Sequence, residues 1–312
     1  MVKKNNMQSA PILVLGYNRP DYLRRLLRFL ETQTIPRLYI SIDGPVPDDP
    51  YNEALVEECK KLAIATQEWT ETRLLLSDSN HGCYLGVTKA IDWFFEHEEL
   101  GIILEDDLVL SSTAITFLTE GLSHYSERMD VGAVCAFNHV YPYSISGESV
   151  STLMVSFPSS WGWATWRNRW GKLERDFSSY SQPLFIRNSL KKGGISGART
   201  WLHIRKRLEE NRLDSWAYRW LLTHCRYGWK SIVPSRSLVT NIGFRDDATH
   251  TKKEKEILGV QSFFLDDSHP RISFGENLDQ SYDNFLLRNI YGIIPLGERL
   301  KTKIKTIFSI KF

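Results

Sequence analysis

Residues 11–44 read PILVLGYNRPDYLRRLLRFLETQTIPRLYISIDG, and this stretch decides the fold class. Ile12 to Leu15 form a short continuous apolar run closed by Gly16, Asn18 and Pro20, the pattern of a strand buried on both faces. Pro20 then opens a helical pattern: Leu23, Leu26, Leu27 and Leu30 recur at helical spacing, with arginines on the other side. A second apolar run, Leu38 to Ile42, ends at Asp43 and a turn rich in Gly and Pro. A helix between two strands buried on both faces returns the chain to the same end of the sheet, so the expected pairing is parallel.

The pattern repeats along the chain. YNEALVEECKKLAIATQ (51–67) reads as helix, TRLLLSDSN (72–80) as strand, GVTKAIDWFFEHEE (86–99) as helix and LGIILEDDLVL (100–110) as a fourth strand. The expected architecture is an α/β fold with a mainly parallel central sheet flanked by helices. Ligands of such sheets bind beyond the carboxyl ends of the strands. Four successive strands here deliver polar groups to that edge: Asn18 and Arg19, then Asp43, then Asn80 and His81, then Glu105, Asp106 and Asp107.

The last group poses a physical problem. Three like charges stand between two apolar runs, and a buried carboxylate without a partner costs roughly several kcal/mol. Alternation along a continuing strand would send Glu105 and Asp107 to one side and Asp106 to the other. A divalent cation such as Mn2+ or Mg2+ would neutralise the cluster, because these ions take hard oxygen ligands from one or two carboxylates and from substrate phosphates. A solvated acidic turn is the other reading of the triplet.

Bulk properties narrow the partners. The 312 residues, 42% hydrophobic and 24% charged, suit a soluble globular chain with a sizeable core, and a formal charge of +2 is too small to indicate nucleic acid. No apolar run is long enough to span a bilayer, and MVKKNNMQSAPILVLGYN lacks the layout of a signal peptide, so the expected location is cytoplasmic. Cys59, Cys83, Cys135 and Cys225 show neither disulfide nor zinc-type spacing. Ten tryptophans are the unusual figure, and Trp161, Trp163, Trp166 and Trp170 lie together in SSWGWATWRNRW. Gly162 between two of them suggests close backbone approach, and flat aromatic faces suit sugar rings; core packing is the competing use of these rings.

GYNRPDYLRRLL, YISIDGP, ILEDDLVLSSTAITF, FPSSWGWATW and LDSWAYRWLLTHCRYGWKSIVPSRSLVTNIG, taken in order, resemble the GT-A glycosyltransferases. The nearest likeness is to N-acetylglucosaminyltransferase I-like enzymes and their bacterial hemolytic-protein-like relatives, and it runs from about residue 10 to 250. The resemblance implies that the acidic triplet is a variant of the DxD motif. Asp107 would hold Mn2+ beneath a nucleotide diphosphate sugar, with Glu105 and Asp106 against the nucleotide sugar. It further implies that Tyr17 and Arg19 lie near the nucleotide, that Asp43 contacts a uridine, and that Asn80 and His81 lie in a glycine-containing segment beside it. Lys89 has the length to reach a phosphate, or is a solvated helix residue. Gly162 and Trp163 would face the donor sugar or the acceptor.

Inverting transfer needs a general base for the acceptor hydroxyl. In the resembling enzymes an Asp beside a Trp at a helix start fills that place, and RLDSWAYRW offers Asp214, or alternatively makes it an N-cap. Ser215 and Ala217 stand where the family carries further acids, which leaves room for a catalytically impaired protein. NIGFRDDATHT places His250 as a late metal ligand, with Asp246 and Asp247 read as solvated. The tail ERLKTKIKTIFSIKF sets Leu300, Ile304, Ile307 and Phe308 among lysines, a pattern that fits peripheral contact with an anionic membrane or packing on the domain.

The expected organisation is a single domain over 8–270, with a nucleotide-sugar half (8–110), an acceptor half (111–270) and a C-terminal extension (271–312). The expected activity is metal-dependent, inverting hexosyl or N-acetylhexosaminyl transfer from a UDP-linked sugar to a glycan or lipid-linked glycan. The rival is a nucleotidyltransferase acting on sugar phosphates; LGYNRPD lacks the Gly-rich phosphate loop expected of one.

Overall fold

The structure is a computed structural model, and it describes residues 9–140, 150–177, 182–243 and 272–294. The first half alternates as the sequence predicts: β1 (Ile12–Gly16), α1 (Pro20–Glu31), β2 (Leu38–Ile42), α2 (Pro50–Ala65), β3 (Thr72–Leu76), α3 (Gly82–His97) and β4 (Leu100–Glu105). There follow β5 (Leu108–Leu110), α4 (Ala114–His124), β6 (Val131–Cys135), β7 (Val150–Val155), β8 (Trp163–Trp166) and the single turn α5 (Arg167–Trp170). The remainder comprises α6 (Gln182–Lys191), α7 (Gly194–Glu209), α8 (Trp216–Tyr227), β9 (Lys230–Pro234), β10 (Val239–Asn241), β11 (Ile272–Ser273) and α9 (Gln280–Phe285).

One nine-stranded sheet runs in the order β11-β7-β9-β6-β8-β4-β1-β2-β3, and a separate ribbon pairs β10 with β5. β3, β2, β1 and β4 are parallel to one another, and β6 and β9 run the same way; β8 lies antiparallel between β4 and β6, and β7 is antiparallel to β9. The central sheet is therefore mixed but mainly parallel. Residues 272–294 join the same body: β11 extends the sheet beside β7, and Tyr282 and Asp283 are buried.

The apolar runs explain the layering. Ile12 and Val14 of β1 face a core that includes Leu23, Leu26 and Leu30 of α1, Val56 and Cys59 of α2, and Phe117 and Leu118 of α4. Leu13 and Leu15 face the opposite core, with Ile91 and Phe94 of α3 and Trp216 and Trp220 of α8. A strand covered on both sides has no solvent face, which is why it reads as an uninterrupted apolar run. In α1 the apolar residues all turn inward, Pro20 starts the first turn, and Asp21 and Arg28 stand where the helix dipole favours them.

Strand order reverses at β1: the chain winds outward through β2 and β3 on one side, and resumes on the other with β4. Such a switch point opens a crevice at the carboxyl ends of the two strands. Here the crevice lies between Gly16–Arg19 and Glu105–Asp107.

The single fourth strand expected over 100–110 is two strands. β4 stops at Glu105, Asp106 and Asp107 form a turn, and β5 leaves for the ribbon with β10. The three acids thus stand at the strand end, close enough for their charges to act on one another.

Candidate functional site

The acid corner is assembled from three distant parts of the chain. Asp106 and Asp107 are each 8% exposed, and the Asp106 amide donates to the Leu15 carbonyl at 3.0 Å, fixing the turn against β1. Arg19 reaches across from the β1–α1 connection and donates through Nη1 to Asp107 Oδ2 at 3.2 Å. Asn241, at the end of β10, donates to Asp107 Oδ1 at 3.1 Å, and its own Oδ1 receives the Gly243 amide at 2.7 Å.

Electrostatics record the strain of this arrangement. Burial, then the charges of Asp107 and Asp106, push the Glu105 carboxyl up to about 8. Burial and Asp107 push Asp106 up to about 7. Asp107 is also raised by burial, against the pull of Arg19 and the Asn241 amide. Arg19 lowers all three but does not balance them. The corner is short of positive charge.

Gly243 packs its backbone directly on this ion pair. A Cβ at that position would stand 2.1 Å from Asp107 Oδ2 and 3.0 Å from Arg19 Nη1, so only glycine fits against the Arg19–Asp107 pair. Among the described residues no three His, Cys, Asp or Glu side chains converge as a ready-made ion cage. The donor set instead suits an ion of the Mg2+ or Mn2+ type, held by one or two carboxylates and completed by substrate oxygens. Asp107, at the strand end beside Arg19, has the carboxylate for that role. His250, Asp246, Asp247 and the basic tail from 295 onward lie outside the described residues.

A second constellation surrounds the first turn of α3. Asp43 Oδ1 receives the Gly44 amide at 2.9 Å and the His81 amide at 3.0 Å, while Oδ2 receives the His81 amide at 3.1 Å and the Gly82 amide at 3.2 Å. Asp214 Oδ1 receives the Tyr84 amide at 3.2 Å. An uncapped helix start is an anion site, and here two carboxylates from elsewhere in the chain fill it. Asp214 is not the N-cap of α8; that post belongs to Ser215, whose hydroxyl accepts the Tyr218 amide at 3.3 Å. Burial pushes the Cys83 thiol up to about 12, and the charges of Glu105 and Asp214 add to the rise, so both acids lie within electrostatic reach of Cys83.

The remaining sequence-predicted residues divide clearly. Tyr17 gives its amide to Asp106 and its hydroxyl to Asn52 Oδ1 at 3.1 Å, so it braces the corner. Asn80 donates to the Gly44 carbonyl at 3.1 Å and holds the loop after β3 to the loop after β2. Trp163 is not a sugar platform: it is fully buried, stacked on Trp216 at 5.6 Å and packed against Trp170 and Trp220. The close approach at Gly162 is likewise internal, since its φ of +64° and a Cβ position 3.2 Å from Val239 fit it to the core. Trp166 and Trp170 are buried too, whereas Trp161 is half-buried beside Phe137. Asn241 and Gly243 went unselected in the sequence, although VTNIG lay within the quoted likeness. Their role depends on a ribbon between residues far apart in the chain.

Between the ends of β2 and β3 and the side of α3 lies a cavity of about 300 Å3. Leu75 and Trp93 supply apolar walls; Ser41, Ser77, Asp43, His81 and Lys89 supply polar groups. Lys89 Nζ stands 3.4 Å from His81 Nε2.

No protein family profile and no curated protein matches the sequence. Among solved structures the chain is similar to a UDP-glucose pyrophosphorylase complexed with UDP-glucose, at 8% identity and TM-score 0.36, covering 72% of this chain and 89% of that one. It is also similar to an apo UDP-glucose pyrophosphorylase, at 9% identity and TM-score 0.33, covering 71% and 89%.

Proposed function

We propose that the chain is a divalent-cation-dependent transferase acting on a nucleotide diphosphate sugar, and that the group it transfers is the sugar. The observation that carries this reading is the acid corner: three crowded carboxyls at a topological switch point, with one guanidinium that does not balance them. A cation there would lower the charge of the triplet and draw in a diphosphate, stabilising charge that develops on the leaving group. Arg19, already at the corner, would take a phosphate oxygen. The cavity beside Asp43, about 300 Å3 with an aromatic wall, is of a size and character to take the nucleobase.

In this reading Asp214 is the base. It is exposed, stands across the first turn of α3 from the acid corner, and comes from the half of the chain that would present the acceptor. The acceptor would be a glycan or a lipid-linked glycan, and His250 and the basic tail keep the roles the sequence suggests for them. Among the described residues no helix is long and apolar enough to cross a membrane.

One observation favours the rival reading, nucleotidyl transfer to a sugar phosphate. Asp214 is engaged by the Tyr84 amide, and attack by a phosphate needs no base. Products separate the two. With UDP-sugars, Mn2+ and a mixture of glycan acceptors, glycosyl transfer releases UDP; with UTP, a sugar 1-phosphate and Mg2+, nucleotidyl transfer releases pyrophosphate. Either activity should vanish in Asp107→Ala. Release of pyrophosphate without UDP would replace the reading, and the absence of any nucleotide binding with Mn2+ would end both.

A further inference from the structure

We propose that the outer face of α6, together with the start of α7 and residues 284–294, docks on an anionic lipid surface. The segments that form this face carry no acid: none lies between Asp176 and Glu209, and none between Asp283 and Glu298. On α6, Phe185, Asn188 and Ser189 turn inward, which leaves Arg187, Leu190 and Lys191 on the exposed side at helical spacing. Ile195 and Arg199 stand one turn apart on α7 and are exposed too, while Gly197, Ala198 and Trp201 of that helix are buried. Lys191, Ile195, Arg288 and Ile293 line one hollow of about 290 Å3, so the two helices and the C-terminal segment adjoin there.

Charge and apolar area coincide on this face. Leu190, Ile195 and Ile294 are 41%, 54% and 42% exposed. Arg187, Lys191 and Arg199 make no ion pair among the described residues; the pairs within α7 lie at its other end, Arg205 with Glu209 and Lys206 with Glu210. The acids next in sequence to the C-terminal segment are already engaged. Asp279 accepts the Ser281 and Tyr282 amides at 2.9 Å, and the buried Asp283 accepts the Ser156 amide at 2.8 Å. Aliphatic side chains set among cations suit a bilayer surface, where the former enter the interface and the latter meet lipid phosphates. A face for single-stranded nucleic acid would add exposed rings for base stacking, whereas the exposed large apolar residues here are aliphatic. The chain leaves this face at Ile294 and runs on towards ERLKTKIKTIFSIKF, whose basic amphipathic pattern fits the same partner.

The test is sedimentation of the full-length protein with vesicles of phosphatidylcholine, alone or mixed with phosphatidylglycerol. Each Lys or Arg near an anionic surface contributes roughly fivefold to partition. Wild type should bind the anionic vesicles at least about tenfold more tightly than the neutral ones, and less tightly as salt rises. Arg187→Gln/Lys191→Gln/Arg199→Gln should weaken that binding by roughly 10²-fold, and Leu190→Ser/Ile195→Ser by about tenfold or more. All five side chains are exposed, so circular dichroism should show the fold intact in both variants. Ile195→Cys in a Cys83→Ser background, carrying an environment-sensitive dye, should shift to the blue on anionic vesicles; the other three cysteines are buried. Wild type that ignores lipid charge overturns the proposal. So does a triple variant that binds as wild type does, a result that would leave the tail alone as the anchor. Unchanged binding by Leu190→Ser/Ile195→Ser, with no dye shift, would mark a general polyanion site and overturn the lipid assignment.

Discussion

Replacing Asp106 by asparagine removes one charge from the acid corner while preserving the size and the acceptor that receives the Tyr17 amide. The effect follows from proton affinity. Burial and Asp107 displace this carboxyl from 3.8 to about 7, and each tenfold change in proton affinity corresponds to about 1.4 kcal/mol. Ionising Asp106 in the folded protein therefore costs at most about 4 kcal/mol. The sign follows from which state binds the proton more tightly. Because the folded state does, the penalty is absent below the ordinary Asp range, grows as pH rises from about 4, and levels off above about 7. At pH 8 without divalent cations, Asp106→Asn should be more stable than wild type by about 2–4 kcal/mol, or about 3–6 °C in Tm for a chain of this length. At pH 5 the gain should fall below about 2 kcal/mol. Thermal unfolding with a chelator at the two pH values measures both, and added Mn2+ should stabilise wild type more than the variant. Equal or lower stability of Asp106→Asn at pH 8 would refute the claim that the corner is short of positive charge.

Other substitutions probe the remaining parts of the site. Asp214→Asn keeps an acceptor for the Tyr84 amide, so the fold should hold while kcat falls by about 10²–10⁴ and donor KM changes little; steady-state kinetics decide it. Gly243→Ala puts a methyl 2.1 Å from Asp107 Oδ2 and should abolish the Mn2+-dependent thermal shift with the fold largely intact, as read by circular dichroism. Trp163→Ala empties the centre of the tryptophan cluster and should cost about 3–5 kcal/mol in a denaturant melt.

The first half of the chain was legible because its information is local. β1, β2 and β4 are covered on both faces and so read as apolar runs, and each connecting helix carries its own apolar residues at helical spacing. The elements that escaped, β7, β8 and α6, lack that signature. β8 is four residues, three of them aromatic or alanine, and becomes a strand by inserting between β4 and β6, a pairing settled by residues far from it in sequence. Trp163 was misplaced for the same reason. Residue type says that a ring buries area, but only the arrival of Trp216 and Trp220 shows that its faces are already covered. In the acid corner the carboxylates were visible in the sequence, whereas Asn241 and Gly243, which steady Asp107 and pack against it, were not. They reach it through the β5–β10 ribbon, and no spacing rule connects position 107 to position 241.

That ribbon makes the halves of the chain unfit for separate use. A fragment ending at residue 110 would keep Glu105, Asp106, Asp107 and Arg19, yet lose the strand that receives β5 and the amide that orients Asp107. It would also lose Asp214 from the start of α3. Grafting this first half onto a different second half would thus require carrying residues 239–243 and 214 along with it. For the same reason, substitutions in the two halves should be tolerated in matched sets rather than one at a time.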